Sequence, residues 1–171
     1  APYEDGAGTG TTANPFNEGA PDAGAAYVFG RFVSAQGVLS WSQQAYVKAS
    51  NTDAGDNFGS AVAVYGSWTD PGGIRMVAGA LLEDSGVNGN PNDNSMQNAG
   101  ASYMYGWYLL YTIPAGTGSG AITVSPSGFL QGPGTAVSVS AAANTGSTFA
   151  GWSGDCSGTA ACEVTMNSSK V

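Results

Sequence analysis

The sequence contains no histidine, and that absence removes a wide range of chemistry at once. The commonest general base and metal ligand is missing, so Ser-His-Asp, Cys-His and zinc-type catalysis have no foundation here. Positive charge is nearly as scarce. Arg31, Lys48, Arg75 and Lys170 are the four cations, well separated, against 12 acids and a net charge of −8. Without a basic patch, neither nucleic-acid binding nor attraction to anionic lipid is expected. No apolar run reaches membrane-spanning length, so no membrane insertion is expected. There is also no signal peptide, so a secreted protein of this sequence would be a mature or trimmed form. No window of helical periodicity is long enough to predict a helix. The two cysteines, Cys156 and Cys162, stand close together in DCSGTAACEV. That spacing suits a local disulfide better than a nucleophile, and it implies an oxidising, extracellular compartment.

What is present points to β-structure. The 27 glycines and 8 prolines could signal disorder, but 42% hydrophobic and 11% aromatic residues argue for a packed core. Short alternating runs of Ala, Val, Thr, Ser and Tyr, separated by turn residues, predict an all-β protein. Strands are expected near 1–3, 25–32, 39–48, 58–66, 74–82, 100–106 and 107–113. From Pro114 the composition shifts. PAGTGSG reads as a linker over 114–120, followed by a small β-module at 121–171 with four short runs: AITVSPSG, TAVSVSAAA, STFAGWSG and CEVTM. So small a module has a poor ratio of core to surface, which a disulfide commonly remedies. Trp152 is the expected centre of its core.

The first region, 1–113, contains an internal repeat. APYEDG at 1–6 returns as ALLEDS at 80–85, and AGAAYVFG at 23–30 returns as AGASYMYG at 99–106. Tyr27 and Phe29 share one strand face and Ala26 and Val28 the other, while Val62 and Val64 alternate with Ala61 and Ala63. Small and large faces of this kind allow sheets to stack closely, as propeller blades do.

These motifs carry a family resemblance. WSQQAYVKASNTDAGDNFGSAVAVYG, then MVAGALLEDSGVNGN and AGASYMYG, resemble the bacterial FG-GAP repeat, the blade unit of integrin-α-like β-propellers. Phe58-Gly59 supplies the FG. Ala78-Gly79-Ala80 stands where GAP sits, with Leu81 in place of proline, and Ala1-Pro2 supplies the end of another GAP. The resemblance covers about residues 1–106, and the insertion at 67–75, SWTDPGGIR, departs from it. The tail, and STFAGWSGDCSGTAACEVTM above all, is similar to the divergent internalin-type B repeat of bacterial surface proteins. Together the resemblances imply one complete four-stranded blade over roughly 58–113, three strands of another, and an extracellular location. Two blades cannot close a ring. The chain is therefore expected to be part of a longer protein or to complete its open edges with neighbouring copies.

Calcium is the one cofactor this reading admits, since blades of the resembled type hold it in loops. The opening turn offers Asn51, Asp53 and Asp56. The long loop EDSGVNGNPNDNS offers Glu83, Asp84, Asn88, Asn90 and Asp93, and its N-terminal counterpart offers Glu4 and Asp5. Oxygen ligands at alternate positions with glycine between them suit a hard cation, but Asx turns bonding their own backbone explain the same pattern. A glycosidase carboxylate pair is not favoured, because adjacent Glu83 and Asp84 on a strand would face opposite ways. No catalytic residue is expected. Trp41, Tyr46, Trp107, Tyr108 and Tyr111 are expected to fill the core, whereas Trp68 in the insertion is the expected exposed contact residue. The expected function is an extracellular structural or assembly protein, a subunit of a filament or matrix that polymerises head to tail. The alternatives are part of an adhesin recognising a protein or glycan, and a non-catalytic accessory region of a secreted enzyme.

Overall fold

In the computed structural model, residues 1–171 are described except 12, 34–36, 67–69, 88–89 and 91, and the side chain of residue 33. Among the described residues every regular element is a strand. These are β1 (Ala26–Val33), β2 (Leu39–Val47), β3 (Phe58–Tyr65), β4 (Ile74–Ala80), β5 (Ala101–Leu109), β6 (Gly120–Ser125), β7 (Leu130–Gln131), β8 (Ala136–Ala143) and β9 (Cys162–Thr165). They form three open sheets, ordered β1-β2, β3-β4-β5-β7 and β6-β8-β9. The all-β expectation holds. A closed propeller is not formed.

The chain divides into two compact units, Ala1–Val64 with Met76–Tyr105, and Tyr65–Arg75 with Gly106–Val171. In the first, β1 and β2 pair antiparallel from Ala26↔Val47 to Val33↔Leu39. Their β-branched and aromatic residues suit a pleated surface. A bulge leaves Gln44 as the extra residue between Val28↔Ala45 and Phe29↔Gln43. The interior here is made largely of small side chains: Ala23, Ala25, Ala49 and Ala78 are buried around Val47 and Phe58. Close approach is the reason. Gly24 forms a parallel bridge to Phe58, and its φ of +82° places a hypothetical Cβ against the Phe58 backbone. Only glycine fits there.

Both halves of the repeat have the same local geometry. The Gly24 N–H donates to the Glu4 carbonyl at 2.8 Å, and the Gly100 N–H to the Glu83 carbonyl at 2.9 Å. Asp5 Oδ1 accepts the N–H of Asp22 at 2.8 Å, and Asp84 Oδ1 that of Asn98 at 2.7 Å. Asp22 and Asn98 both lie in the left-handed region, at φ 54° and 52°.

In the second unit Val137, Val139 and Met166 are buried as a core. Tyr108, Leu110, Ile122, Val124, Trp152 and Val164 pack around them. Cys156 and Cys162 are joined, with their Cα atoms 6.0 Å apart. The end of the chain is tied back. Lys170 N–H donates to the Leu109 carbonyl at 2.8 Å, Tyr111 N–H to the Lys170 carbonyl at 2.9 Å, and Ser169 N–H to the Pro71 carbonyl at 3.2 Å.

Four local expectations are corrected. Residues 1–3 are not a strand, although Ala1 and Ala25 exchange two backbone hydrogen bonds. The strands expected at 100–106 and 107–113 are one continuous β5, because Gly106 does not turn the chain. STFAGWSG contributes only a bridge from Trp152 to Gly158. Trp152 sits at the rim of the core, its Nε1–H donating to the Ala160 carbonyl at 2.9 Å and its ring edge-on to Phe149.

Candidate functional site

Two acids, the half-buried Glu4 and the buried Glu83, occupy equivalent places in the repeat and meet opposite surroundings. Glu4 is compensated. Lys48 follows the inward-facing Tyr46 by two residues, so strand alternation turns its side chain the same way. The ammonium is completely buried and lies 2.9 Å from Glu4 Oε2. Tyr46 OH donates to Glu4 Oε1 at 2.5 Å and the Gly6 N–H to Oε2 at 3.1 Å. Burial alone would raise the Glu4 carboxyl, but the hydrogen bonds from Tyr46, Lys48 and Gly6 outweigh it and hold it below the usual carboxylate range. Tyr46 is pushed far above the ordinary phenol range, first by burial and then by its bond to Glu4.

Glu83 has no such cation among the described residues. It is 1% exposed, and Asp56, 3% exposed, is its neighbour within hydrogen-bonding reach. Asn51 Nδ2–H donates to Glu83 Oε1 at 2.6 Å, and Tyr103 OH donates to Asn51 Oδ1 at 2.6 Å. The Asp53 N–H donates to Asp56 Oδ2 at 2.8 Å. Glu83 Oε2 has no donor among the described residues. Burial pushes the Asp56 carboxyl up to about 7, the adjacent Glu83 adding to the effect. Tyr103 is also raised, by burial and by Glu83. Tyr105, whose OH donates to the Lys48 carbonyl at 2.7 Å, is pushed up to about 12 by burial.

Of the sequence-predicted ligands, Asn51, Asp56 and Glu83 come together, and Asp53 joins them only through its backbone N–H. The rest do not join them. Asp5 and Asp84 cap backbone N–H groups, as above. Asn90 Oδ1 accepts the Asn92 N–H at 3.1 Å and Asp93 Oδ1 the Ser95 N–H at 3.2 Å, the Asx-turn arrangement. Asp53 Oδ2 accepts from Asn94 Nδ2 at 2.9 Å. Asn88 and Trp68 lie outside the described residues. Ca2+ takes six to eight oxygens. Among the described residues no group of three or more Asp, Glu or Cys side chains converges to supply such a cage. A carboxyl pair in contact could exchange protons, but Asp56 and Glu83 are sealed from any substrate. Sequence reasoning missed Lys48. The signal was available: a lysine in register with an inward Tyr46, between buried Val47 and Ala49, requires a buried acid.

The exposed surface departs from expectation too. Trp41, expected in the core, is 67% exposed. It shares a face of the β1–β2 hairpin with Phe29, Arg31 and Tyr27. At the equivalent positions in the second repeat, Tyr103 and Tyr105 lie edge-on to Phe58, with ring centroids 5.6 and 6.1 Å away. Strand β3 ends the order β3-β4-β5-β7, and every side chain from Ser60 to Tyr65 is exposed. In the second unit a groove of about 730 Å3 is lined by Tyr111, Ile122, Phe149 and Trp152 among others.

No curated protein and no solved structure matches the chain. Its C-terminal part does match a family: residues 111–171, which hold the β6-β8-β9 sheet and the disulfide, fit the model of the divergent InlB B-repeat domain.

Proposed function

We propose that this chain is an extracellular structural protein that assembles with further copies through the edge of strand β3. The observation that carries this reading is the edge itself. The strand FGSAVAVY contains no charge and no proline, the two devices that usually guard an exposed edge. Its Val62 and Val64 are 58% and 63% exposed. A strand of another molecule laid along it would gain main-chain hydrogen bonds and cover these side chains. The bare hairpin face of Phe29 and Trp41 offers a second surface of the same kind. The FG-GAP resemblance supports the reading, because blade-like sheets are normally covered by neighbours on both sides. The B-repeat match and the disulfide support an extracellular place on a bacterial surface. A head-to-tail contact that does not close would produce a filament. Calcium has no part in this proposal.

Analytical ultracentrifugation and electron microscopy of the chain at rising concentration test it. Concentration-dependent assemblies are expected, and Val62→Lys, which places a charge on the edge, should leave monomers. Monodisperse single particles of the unaltered chain at high concentration would refute assembly. A second reading, recognition of a protein or glycan as part of an adhesin, is favoured by the aromatic groove of Tyr111, Phe149 and Trp152. Binding to a glycan array that Trp152→Ala abolishes would select it.

A further inference from the structure

Resting on the proposed assembly through β3, we infer that the free edge of β1 is the surface that receives the β3 strand of the next copy. The repeat defines that edge. Strand β5, the counterpart of β1, has β4 on one side and β7 on the other, whereas β1 is paired with β2 alone among the described residues. Ala1 corresponds in the repeat to Ala80, the last residue of β4. The Ala1 amine donates to the Ala25 carbonyl at 3.0 Å, and the Ala25 N–H donates to the Ala1 carbonyl at 2.9 Å. These two bonds are one antiparallel rung. Backbone groups alternate along a strand, so the N–H and C=O of Tyr27, Phe29 and Arg31 point the same way as those of Ala25, away from β2. Among the described residues no strand takes up the rungs beyond Ala25 on that side.

Strand β3 fits this edge in length, shape and charge. Both strands are eight residues long. On β1 the exposed Tyr27 and Phe29 share one face, and Ala26, Val28 and Gly30 lie on the other, inner face. On β3 Val62 and Val64 alternate with Ala61 and Ala63. Laid antiparallel along β1, β3 sets its alanines beside the inner face and its valines beside the aromatic one, so that cross-strand neighbours match in size. The side chains and edges covered amount to on the order of 1,000 Å2, the low end for a specific contact, so association should be reversible. Charge favours the same pairing. Copies with a net charge of −8 repel one another over most of their surface. Strands β1, β2 and β3 contain no acid, and Arg31 on β1 is exposed and in no ion pair among the described residues. The hairpin therefore presents a positive charge to an approaching acidic copy, and β3 brings no like charge to meet it. Because the two edges are different surfaces, each contact leaves another β1 and another β3 open, and assembly continues head to tail.

Sedimentation velocity of two charged variants of the whole chain, alone and mixed, tests the pairing. Val62→Lys closes β3 and leaves β1 open, whereas Phe29→Lys closes β1 and leaves β3 open. Each variant alone should stay monomeric, its self-association weakened by about tenfold or more relative to the parent. An equimolar mixture should form dimers of one copy each and stop there. Circular dichroism checks the fold of each variant, and Arg31→Glu takes the place of Phe29→Lys if that variant does not fold. Two outcomes would overturn the inference while leaving assembly through β3 intact: Phe29→Lys assembling as the parent does, or Phe29→Lys alone stopping at dimers, β3 against β3. A mixture that stays monomeric would overturn it as well, leaving the β1 edge to another occupant. A parent chain that never associates refutes the underlying reading instead, and the inference falls with it.

Discussion

Replacing Lys48 by methionine isolates the most heavily buried charge in the first unit. Methionine keeps most of the apolar stem, so the perturbation is the ammonium itself. Lys48 is fully buried and its partner Glu4 is 14% exposed at the side chain. Removing one member of a buried ion pair costs about 3–5 kcal/mol, because the remaining charge stays in place without compensation. Glu4 retains Tyr46 OH and the Gly6 N–H, and it has some contact with water. We therefore expect a loss below that range, about 2–3 kcal/mol at pH 7. Urea denaturation followed by circular dichroism measures it, with an unchanged slope showing that the unfolded reference is the same. The pH dependence gives a second readout. Glu4 titrates below its ordinary value in the fold. The stability it contributes is present above the unfolded carboxyl value of 4.5 and lost as pH falls through the lower folded value. A lone Glu4 in Lys48→Met is easier to protonate, so the gap between variant and parent should narrow as pH drops from 7 to 4. Glu4→Gln added to Lys48→Met should recover most of the loss, since a neutral amide needs no cation. A loss below about 1 kcal/mol at pH 7, or a gap that widens in acid, would refute the reasoning.

Two further outcomes follow from the geometry. Gly24→Ala should cost about 2 kcal/mol or more, from the left-handed backbone and the collision with Phe58, as read by thermal melting; a neutral change would deny the close approach. Cys156→Ser with Cys162→Ser should lower the stability of the second unit by about 2 kcal/mol, the loop-closure value for so short a ring, and reduction of the parent should reproduce it.

Much of the architecture was legible in the sequence, because a period of two with turn residues between runs leaves little else for a chain to do. β1 to β4 fall within two residues of their predicted limits, and the repeat seen in the sequence is matched in the fold by shared local geometry, including the paired left-handed residues Asp22 and Asn98. Gly106 misled because glycine punctuates a strand only where φ is positive, and here it is not. β7 was invisible, as two residues carry no period. The acids were legible as a group but not as partners. Nothing in the spacing says that Glu83 meets Asp56 while its counterpart Glu4 meets Lys48, since that depends on which loop folds over which strand. The exposure of Trp41 was hidden for a similar reason: alternation assigns a face, and only the neighbours decide whether that face is covered.

The anchoring of the final residues bears on how such a module could be transplanted. Ser169 bonds to Asp70 and Pro71, and Lys170 to Leu109, all of which precede the stretch that matches the B-repeat family. A graft cut at residue 111 would carry the recognisable pattern yet leave its last strand-like segment without the carbonyls that hold it. For this chain the unit that heredity marks and the unit that folds are of different length, and the additional piece, Tyr65–Arg75 with Gly106–Leu110, would have to travel with it.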